Sequence, residues 1–429
     1  MGVARYAAGL LLLAGLAAAG GCGSPAVTAE SPESGREQSE FSKERNEFEG
    51  VVSRLRPFLS ELRQVREDYA NGTPAEQEVL RARYEEMLKQ GAALEADLID
   101  TAVLACVRHP LENVELAYFL SSVATTQLMQ EEYEDAWKLA QKLVDNKVGD
   151  LPDDTSVFYS MCYCAAVAAY AANEFDIADA LLKFLDEKQI RLAGKRNPMQ
   201  EVVDRCRQSM EYHKKAWKRE EEIREREKVA ANLPRVLLKT TKGDIEVELF
   251  ENEAPNTVAN FVYLVEKRDE ETGKGFYDGR DFFRVVPMNM AQAGCPKDNG
   301  VSGPGYTIRD ECARPDRRLH FRGSLSMVPI AGPNTGGSQF EILFRPSPER
   351  DGRQTVFGRV VRGIEVLARL QRREPPDPMQ EEFVEAPKAD TIVEATVLSK
   401  RPHPYEPKVK PGNPPETIYD QIPEEYKTF

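Results

Sequence analysis

Phe282-Phe283-Arg284-Val285-Val286-Pro287-Met288-Asn289-Met290-Ala291-Gln292 is a strand-like segment carrying one arginine and, eight positions along, one glutamine. Asp278-Gly279, just upstream, is a turn signal that feeds it. Forty positions after Gln292, the run Gly332-Pro333-Asn334-Thr335-Gly336-Gly337-Ser338-Gln339-Phe340 sets a glycine-rich stretch ahead of an apolar strand. On the N-terminal side, Ile245, Val247 and Leu249 alternate with Asp244, Glu246 and Glu248, the period of a half-buried strand, and Lys242-Gly243-Asp244 reads as the turn leading into it. Pro255 opens a helix striped by Val258, Phe261, Val262 and Val265. Further strands are expected at 324–327, 340–343, 356–360 and 391–398. So many strands with only two helices predict a closed antiparallel barrel capped by the two helices over residues 233–400.

The two segments, in this order and spacing, resemble the active-site signature of the cyclophilins, which rotate the peptide bond before proline. The resemblance implies the same barrel and a cofactor-free, metal-free chemistry. Rotation about a peptide bond faces about 18–20 kcal/mol, whereas the two X-Pro isomers differ by only about 0.5–1 kcal/mol. A catalyst must therefore stabilise the twisted amide alone. In that state the prolyl nitrogen regains its lone pair and accepts a hydrogen bond, so a fixed guanidinium beside it favours the transition state. The resemblance assigns this role to Arg284; the plain alternative is a surface arginine on a solvated strand. It also implies that Gln292 orients the arginine or holds the substrate carbonyl, that Phe282 and Met290 line the proline pocket, and that Gln339 and the backbone of Gly332 to Asn334 bind the substrate main chain as a strand would.

Several pocket positions depart from the family. Asn289 stands where a phenylalanine is expected, Glu341 where a second would complete the floor, Glu349 and Arg350 where an aromatic and a leucine are common, and Gln354 where an aromatic or imidazole is usual. Val328-Pro329-Ile330-Ala331 is one residue longer than the usual connection. Apolar burial contributes roughly 25 cal/mol per Å², so a proline ring set against Asn and Glu gains little. The expectation is a weak or substrate-restricted isomerase in which Glu341 could pair with Arg284; the alternative is a binding or scaffold protein with catalysis weakened or lost.

The chain is 429 residues long, enough for two or three domains. Its start is a targeting signal. Arg5 precedes an apolar run from Ala7 to Ala19, short for a transmembrane helix and suited to a signal-peptide core. Ala19-Gly20-Gly21-Cys22 is similar to a bacterial lipoprotein processing site, which implies lipidation at Cys22; ordinary secretion is the alternative. The expected boundaries are signal peptide 1–21, flexible tether 22–40, helical domain 41–230, cyclophilin-like domain 233–400 and a Pro-rich extended tail 401–429. The implied location is the cell envelope, lipid-anchored on the periplasmic side. Gly23 supplies no inner-membrane retention residue, which slightly favours the outer membrane.

Residues 41–230 read as helical. Asn71-Gly72 is a stop, Thr73-Pro74-Ala75-Glu76 has the capping-box form, and Pro57 is expected to bend or divide the first helix. Glu132-Tyr133-Glu134-Asp135-Ala136-Trp137-Lys138-Leu139 aligns with Glu174-Phe175-Asp176-Ile177-Ala178-Asp179-Ala180-Leu181 at an offset of 42. Each copy places an aromatic three residues before Ala and Leu three after, one helical stripe, and each follows an apolar helix. The pattern resembles tetratricopeptide hairpins, which bind proteins on concave surfaces; a plain helical scaffold is the alternative. The charged run 213–228 reads as a solvated helix or spacer.

A net charge of −14 excludes nucleic acid as a favoured partner. Six cysteines remain besides Cys22; Cys162 and Cys164 fall on different helical faces and read as core thiols, while Cys295 and Cys312 could be joined. The four histidines have no metal spacing, and His320 reads as packed or solvated.

Overall fold

The computed structural model describes residues 34–151, 156–191, 198–374 and 387–412. The leader, Cys22, the first part of the tether and residues 413–429 lie outside the described residues. The chain divides into two units: residues 1–168 with 180–200, and residues 169–179 with 201–429.

The first unit is helical. Helix α1 (Ser34–Asn71) begins inside the stretch expected as tether and runs through Pro57 without division. Helix α2 (Pro74–Arg108) starts at the expected capping box, where the Glu76 carboxylate accepts from the Thr73 backbone N–H at 2.8 Å and from its hydroxyl at 2.7 Å. Arg83 bonds Glu61 at 2.6 Å and Arg54 bonds Asp97 at 3.3 Å, a descending register that makes α1 and α2 antiparallel. Helices α3 (Val114–Met129) and α4 (Tyr133–Asp145) are followed by α5 (Ser156–Ala171) and α6 (Phe175–Glu187), each displaced by 42 positions and of equal length to its counterpart. The sequence repeat is thus a repeat of helix boundaries. Cys162 and Cys164 are buried free thiols, as expected, and Cys106 is one as well.

The second unit begins with residues 169–179 and helix α7 (Pro198–Ala230), most of which belongs to it. Strands follow: β1 (Arg235–Thr240), β2 (Gly243–Leu249), helix α8 (Pro255–Glu266), β3 (Arg280–Asp281), β4 (Arg284–Val286), β5 (Met290–Ala293), β6 (Tyr306–Ile308), β7 (Ser324–Met327), β8 (Phe340–Leu343), β9 (Thr355–Arg362), helix α9 (Ile364–Arg369), β10 (Thr391–Ser399) and β11 (Val409–Pro411). Nine strands form one antiparallel sheet in the order β3-β10-β1-β2-β9-β7-β8-β5-β4. The alternation read in β2 is realised: Ile245, Val247 and Leu249 enter the core with Val236, Leu238 and the α8 residues Val258 and Phe261. The sheet is curled rather than closed, because among the described residues no ladder joins its edge strands β3 and β4. The expected continuous strand from Phe282 to Val286 is broken there, since the Phe282 N–H turns to the Asp390 carbonyl at 2.8 Å.

The Pro-rich tail does not leave the body at residue 401. Tyr405 is buried, its hydroxyl donates to Glu251 at 2.8 Å, and β11 pairs with β6.

Helix α7 is not the solvated spacer its charges suggested. Arg318 is 1% exposed and donates to Glu220 at 2.6 and 2.8 Å and to Glu227 at 2.5 Å, with its guanidinium 3.8 Å from the Phe250 ring centroid. Arg359 joins Glu227, at 2.8 Å, to Glu248. Phe321 sits among Phe175, His213 and Trp217, the last at 4.8 Å between centroids. The acidic residues Glu220 and Glu227 of α7 are therefore neutralised by Arg318, in the loop before β7, and by Arg359 on β9.

Candidate functional site

Antiparallel register sets the site. Arg284 on β4 faces Gln292 on β5, Gln292 faces Glu341 on β8, and Glu341 faces Ser326 on β7. Four side chains thus form one row across four strands, on the side opposite the core residues Val285, Ala291, Ile342 and Leu325. Arg284 is exposed and has no hydrogen-bond partner among the described residues. Gln292 is buried beside it, and its amide donates to Gln339 Oε1 at 2.9 Å. The Gln339 amide in turn donates to the Ser302 carbonyl at 2.9 Å. Gln339 is fully covered and both ends of its amide are engaged, so its side chain fixes Gln292 instead of meeting a ligand. This pairing depends on a close approach at Gly294, where a Cβ would lie 2.3 Å from the Ser338 carbonyl oxygen and the backbone has φ +88°.

The polar replacements form a second cluster. Arg350 ends a single 3-10 turn, Pro348–Arg350. It donates from Nε to Glu341 at 2.9 Å, from Nη2 to Asn289 at 2.8 Å and from Nη1 to Glu349 at 3.1 Å. Glu341 therefore bonds Arg350, not Arg284, which acts on it only through space. Burial pushes the Glu341 carboxyl above its ordinary value, against the lowering pull of Arg350.

A third group lies under the row. Asp351 Oδ1 accepts from the His320 backbone N–H at 2.9 Å and faces His320 Nδ1 at 2.7 Å, while His320 Nε2 is 3.0 Å from Ser326 Oγ. Ser326 also donates to Gln354 at 3.3 Å. Serine, histidine and aspartate in this order have the connectivity of a nucleophilic triad, but Ser326 is 0% exposed and no acyl group can reach its hydroxyl.

The remaining expected site residues divide. Met290 lies on the Gln292 face of β5, paired with Leu343. Phe282 is 0% exposed inside the core and cannot line a pocket, because the break between β3 and β4 turns it inward. Gly332 is exposed at φ +100°, and Asn334 is spent on Asp310: its backbone N–H donates to Asp310 Oδ2 at 2.6 Å and its Oδ1 accepts from the Asp310 N–H at 3.1 Å. Cys295 and Cys312 are free thiols turned to Asn299 and to the Gly352 carbonyl. Among the described residues no group of His, Cys, Asp and Glu is arranged to hold a metal. The sequence reading marked Arg350 only as a departure from the family, and missed both its bonds to Glu341 and Asn289 and the role of Asp351, whose oxygens engage His320 and, at 2.7 Å, the Tyr212 hydroxyl.

The exposed Arg284 and the Gln292–Gln339 pair thus lie on the face of the curled antiparallel sheet opposite its core. Residues 235–397 match the family model described as cyclophilin type peptidyl-prolyl cis-trans isomerase. A peptidyl-prolyl cis-trans isomerase of Synechococcus elongatus is 48% identical over 126 residues, 29% of this chain and 79% of the relative. One from Helicobacter pylori is 42% identical over 153 residues, 35% of this chain and 87% of its own. A crystal structure of a cyclophilin type peptidyl-prolyl cis-trans isomerase from Cryptosporidium parvum covers 39% of this chain and 99% of its own, at 27% identity and TM-score 0.32. The chain belongs to the cyclophilin-type peptidyl-prolyl cis-trans isomerase family through these residues, and it is an isomerase acting on proline-containing polypeptides.

Proposed function

We propose that Arg284 stabilises the twisted X-Pro amide by donating a hydrogen bond to the prolyl nitrogen, with Gln292 braced by Gln339 to hold the substrate backbone. The observation that carries this is a contrast beside the row: the Arg284 side chain is exposed and unengaged by hydrogen bonds among the described residues, while its row neighbour Gln292 is buried and locked to the buried Gln339. A guanidinium with free donors can meet an amide nitrogen as it pyramidalises, and a locked glutamine costs no reorganisation when it does. Met290, Asn289, Glu341 and Gln354 border the ring site. Because Glu341, Arg350 and Asn289 already satisfy one another, a proline ring there meets polar groups that have little to gain from it, and the enzyme is selective and weak toward simple Ala-Pro substrates. The same cluster favours a second reading, in which the unit chiefly binds polypeptides and turns them over slowly. An Arg284→Ala variant tests the assignment: isomerisation lost with the fold retained supports it, and isomerisation retained removes Arg284 from the mechanism.

For the whole chain the reading is an exported folding factor. The apolar leader ending at Cys22 supports a lipid anchor at the cell envelope, on the periplasmic side and more in keeping with the outer membrane. The 42-residue recurrence of α3–α4 in α5–α6 supports a tetratricopeptide-like region that recruits a protein partner. The curled sheet is read as a barrel whose seam falls between β3 and β4, with α8 and α9 at its ends. Metabolic labelling with a palmitate analogue, compared with Cys22→Ser, tests the anchor; equal labelling of both would remove it.

A further inference from the structure

The segment His320-Phe321-Arg322 enters β7, the strand whose Ser326 completes the row of site side chains, and each of its residues is held from the N-terminal part of the same unit or beside it. Phe321 lies in the aromatic group of Phe175, His213 and Trp217. The Arg322 N–H donates to Asn173 Oδ1 at 3.1 Å. His320 is tied to Asp351 through both its backbone N–H and its ring. The second oxygen of Asp351 accepts from the Tyr212 hydroxyl of α7 at 2.7 Å. Asp351 therefore has both oxygens engaged, one by the strand entry and one by the helix, and it directly follows the turn that carries Arg350.

The bonding of that turn leaves it few alternatives. The Ser347 N–H donates to the His320 carbonyl at 2.9 Å, and the Asp351 N–H closes on Pro348 at 3.1 Å. Arg350 then projects to Glu341 and Asn289, in the place where the ring of a substrate proline would lie. Burial and the neighbouring Asp351 carboxylate both push the Tyr212 phenol up, so its hydroxyl stays a donor to Asp351 throughout the neutral range. Tyr212 is itself 46% exposed and makes this bond from the rim of the helix.

We propose that Tyr212 is a positioning residue for the isomerase site: through Asp351 it fixes the 348–350 turn, and so sets how Arg350 closes the ring pocket with Glu341 and Asn289. Helix α7, which lies outside the region matching the family, thereby tunes the affinity of the site for its substrate. This rests on reading the Arg284 row as the isomerase site. The mechanism is a change of ground-state fit, so it acts on substrate affinity more than on the turnover of bound peptide.

The test uses the full chain and two variants on α7. Tyr212→Phe removes one hydroxyl at a half-exposed position. Glu227→Gln weakens the helix at its other end, away from Asp351, and serves as the control for a merely structural role. Exchange NMR on an Ala-Pro peptide separates KM from kcat, and the Arg350 Nε–Hε cross-peak reports the turn without requiring activity. The expectation for Tyr212→Phe is a KM change of about 3- to 10-fold, the worth of one hydrogen bond, with kcat nearly unchanged and the Arg350 cross-peak shifted. Glu227→Gln is expected to lower the melting temperature and leave both KM and the cross-peak in place. In an Arg350→Leu background the Tyr212→Phe effect on KM should vanish. An unmoved cross-peak together with an unmoved KM in Tyr212→Phe overturns the proposal, as does an equal KM change in Glu227→Gln. A shifted cross-peak in a protein without any isomerase activity would uphold the coupling and refute the isomerase reading of the row instead.

Discussion

Arg318→Leu is the substitution whose cost can be worked most directly from the contacts. The arginine is 1% exposed and holds two α7 carboxylates, Glu220 and Glu227, which are themselves 6% and 8% exposed. Removing one partner of a buried ion pair leaves uncompensated charge and costs about 3–5 kcal/mol. Two effects adjust this. Arg224 at 2.8 Å from Glu220 and Arg359 at 2.8 Å from Glu227 retain part of the compensation, whereas the stacking of Arg318 on Phe250 is lost as well, worth up to about 2 kcal/mol when desolvated. The expected loss stays at about 3–5 kcal/mol, most of it in the docking of α7. Trp217 lies on α7 against Phe321, so its fluorescence in a Trp137→Phe background reports that unit alone in urea. With a slope of about 2 kcal/mol per molar urea the midpoint should fall by roughly 1.5–2.5 M. The acid side gives a second check. Although burial raises the Glu220 carboxyl, the charge of Arg318 and its hydrogen bonds prevail and hold it at about 2. A depressed carboxylate contributes stability above its unfolded value of 4.5 that is lost as pH falls from there toward 2. Wild type should therefore lose Trp217 burial over that window, and the variant should already have lost most of that dependence. A midpoint shift below about 0.5 M, with the acid transition unchanged, would refute the reasoning, because the carboxylates would then not depend on Arg318.

Glu341 has the opposite sign: burial raises its carboxyl, so the folded state holds the proton more tightly and the ionised form destabilises as pH rises from about 4.5. The stability of Glu341→Gln relative to wild type should therefore grow as pH rises from about 4.5 through the raised folded value in urea titrations, and growth toward low pH would contradict it. The polar ring site predicts weak binding of cyclosporin-like macrocycles, and Asn289→Phe with Glu341→Phe and Arg350→Leu, which removes the cluster together, should strengthen it by about tenfold or more per buried aromatic ring; a tight titration of the unaltered protein by calorimetry would count against the reading. Gly294→Ala should cost several kcal/mol, since its Cβ meets the Ser338 carbonyl at 2.3 Å and φ is +88°, and a variant with unchanged urea midpoint would remove the close-approach argument.

Much of the fold was legible because its signals are local. Alternation at Ile245, Val247 and Leu249, Pro255 at a helix start and the capping box at Thr73 each depend on residues within one turn or one strand. The 42-residue offset likewise foretold the equal lengths of α3 with α5 and α4 with α6. What escaped depends on partners far away in sequence. Glu220 and Glu227 read as solvent charges because nothing near them announces Arg318, some ninety positions on. Arg350 could not be assigned to Glu341 and Asn289 until the 348–350 turn and the β8 register brought them together. Phe282 belonged to the expected signature, yet the break between β3 and β4 sent its ring inward. The tail was read from composition alone, and proline content gives no sign that Tyr405 would bury against Glu251.

The central claim is that Arg284 supplies the transition-state hydrogen bond on a sheet face braced by Gln292 and Gln339. Exchange NMR on an Ala-Pro peptide with the full chain and its Arg284→Ala variant tests it most directly. Loss of a preorganised donor of this kind should lower kcat by about 100- to 1000-fold, while the urea midpoint followed by Trp217 stays in place because Arg284 is exposed. Equal line broadening from wild type and variant, with both folded, would contradict the claim.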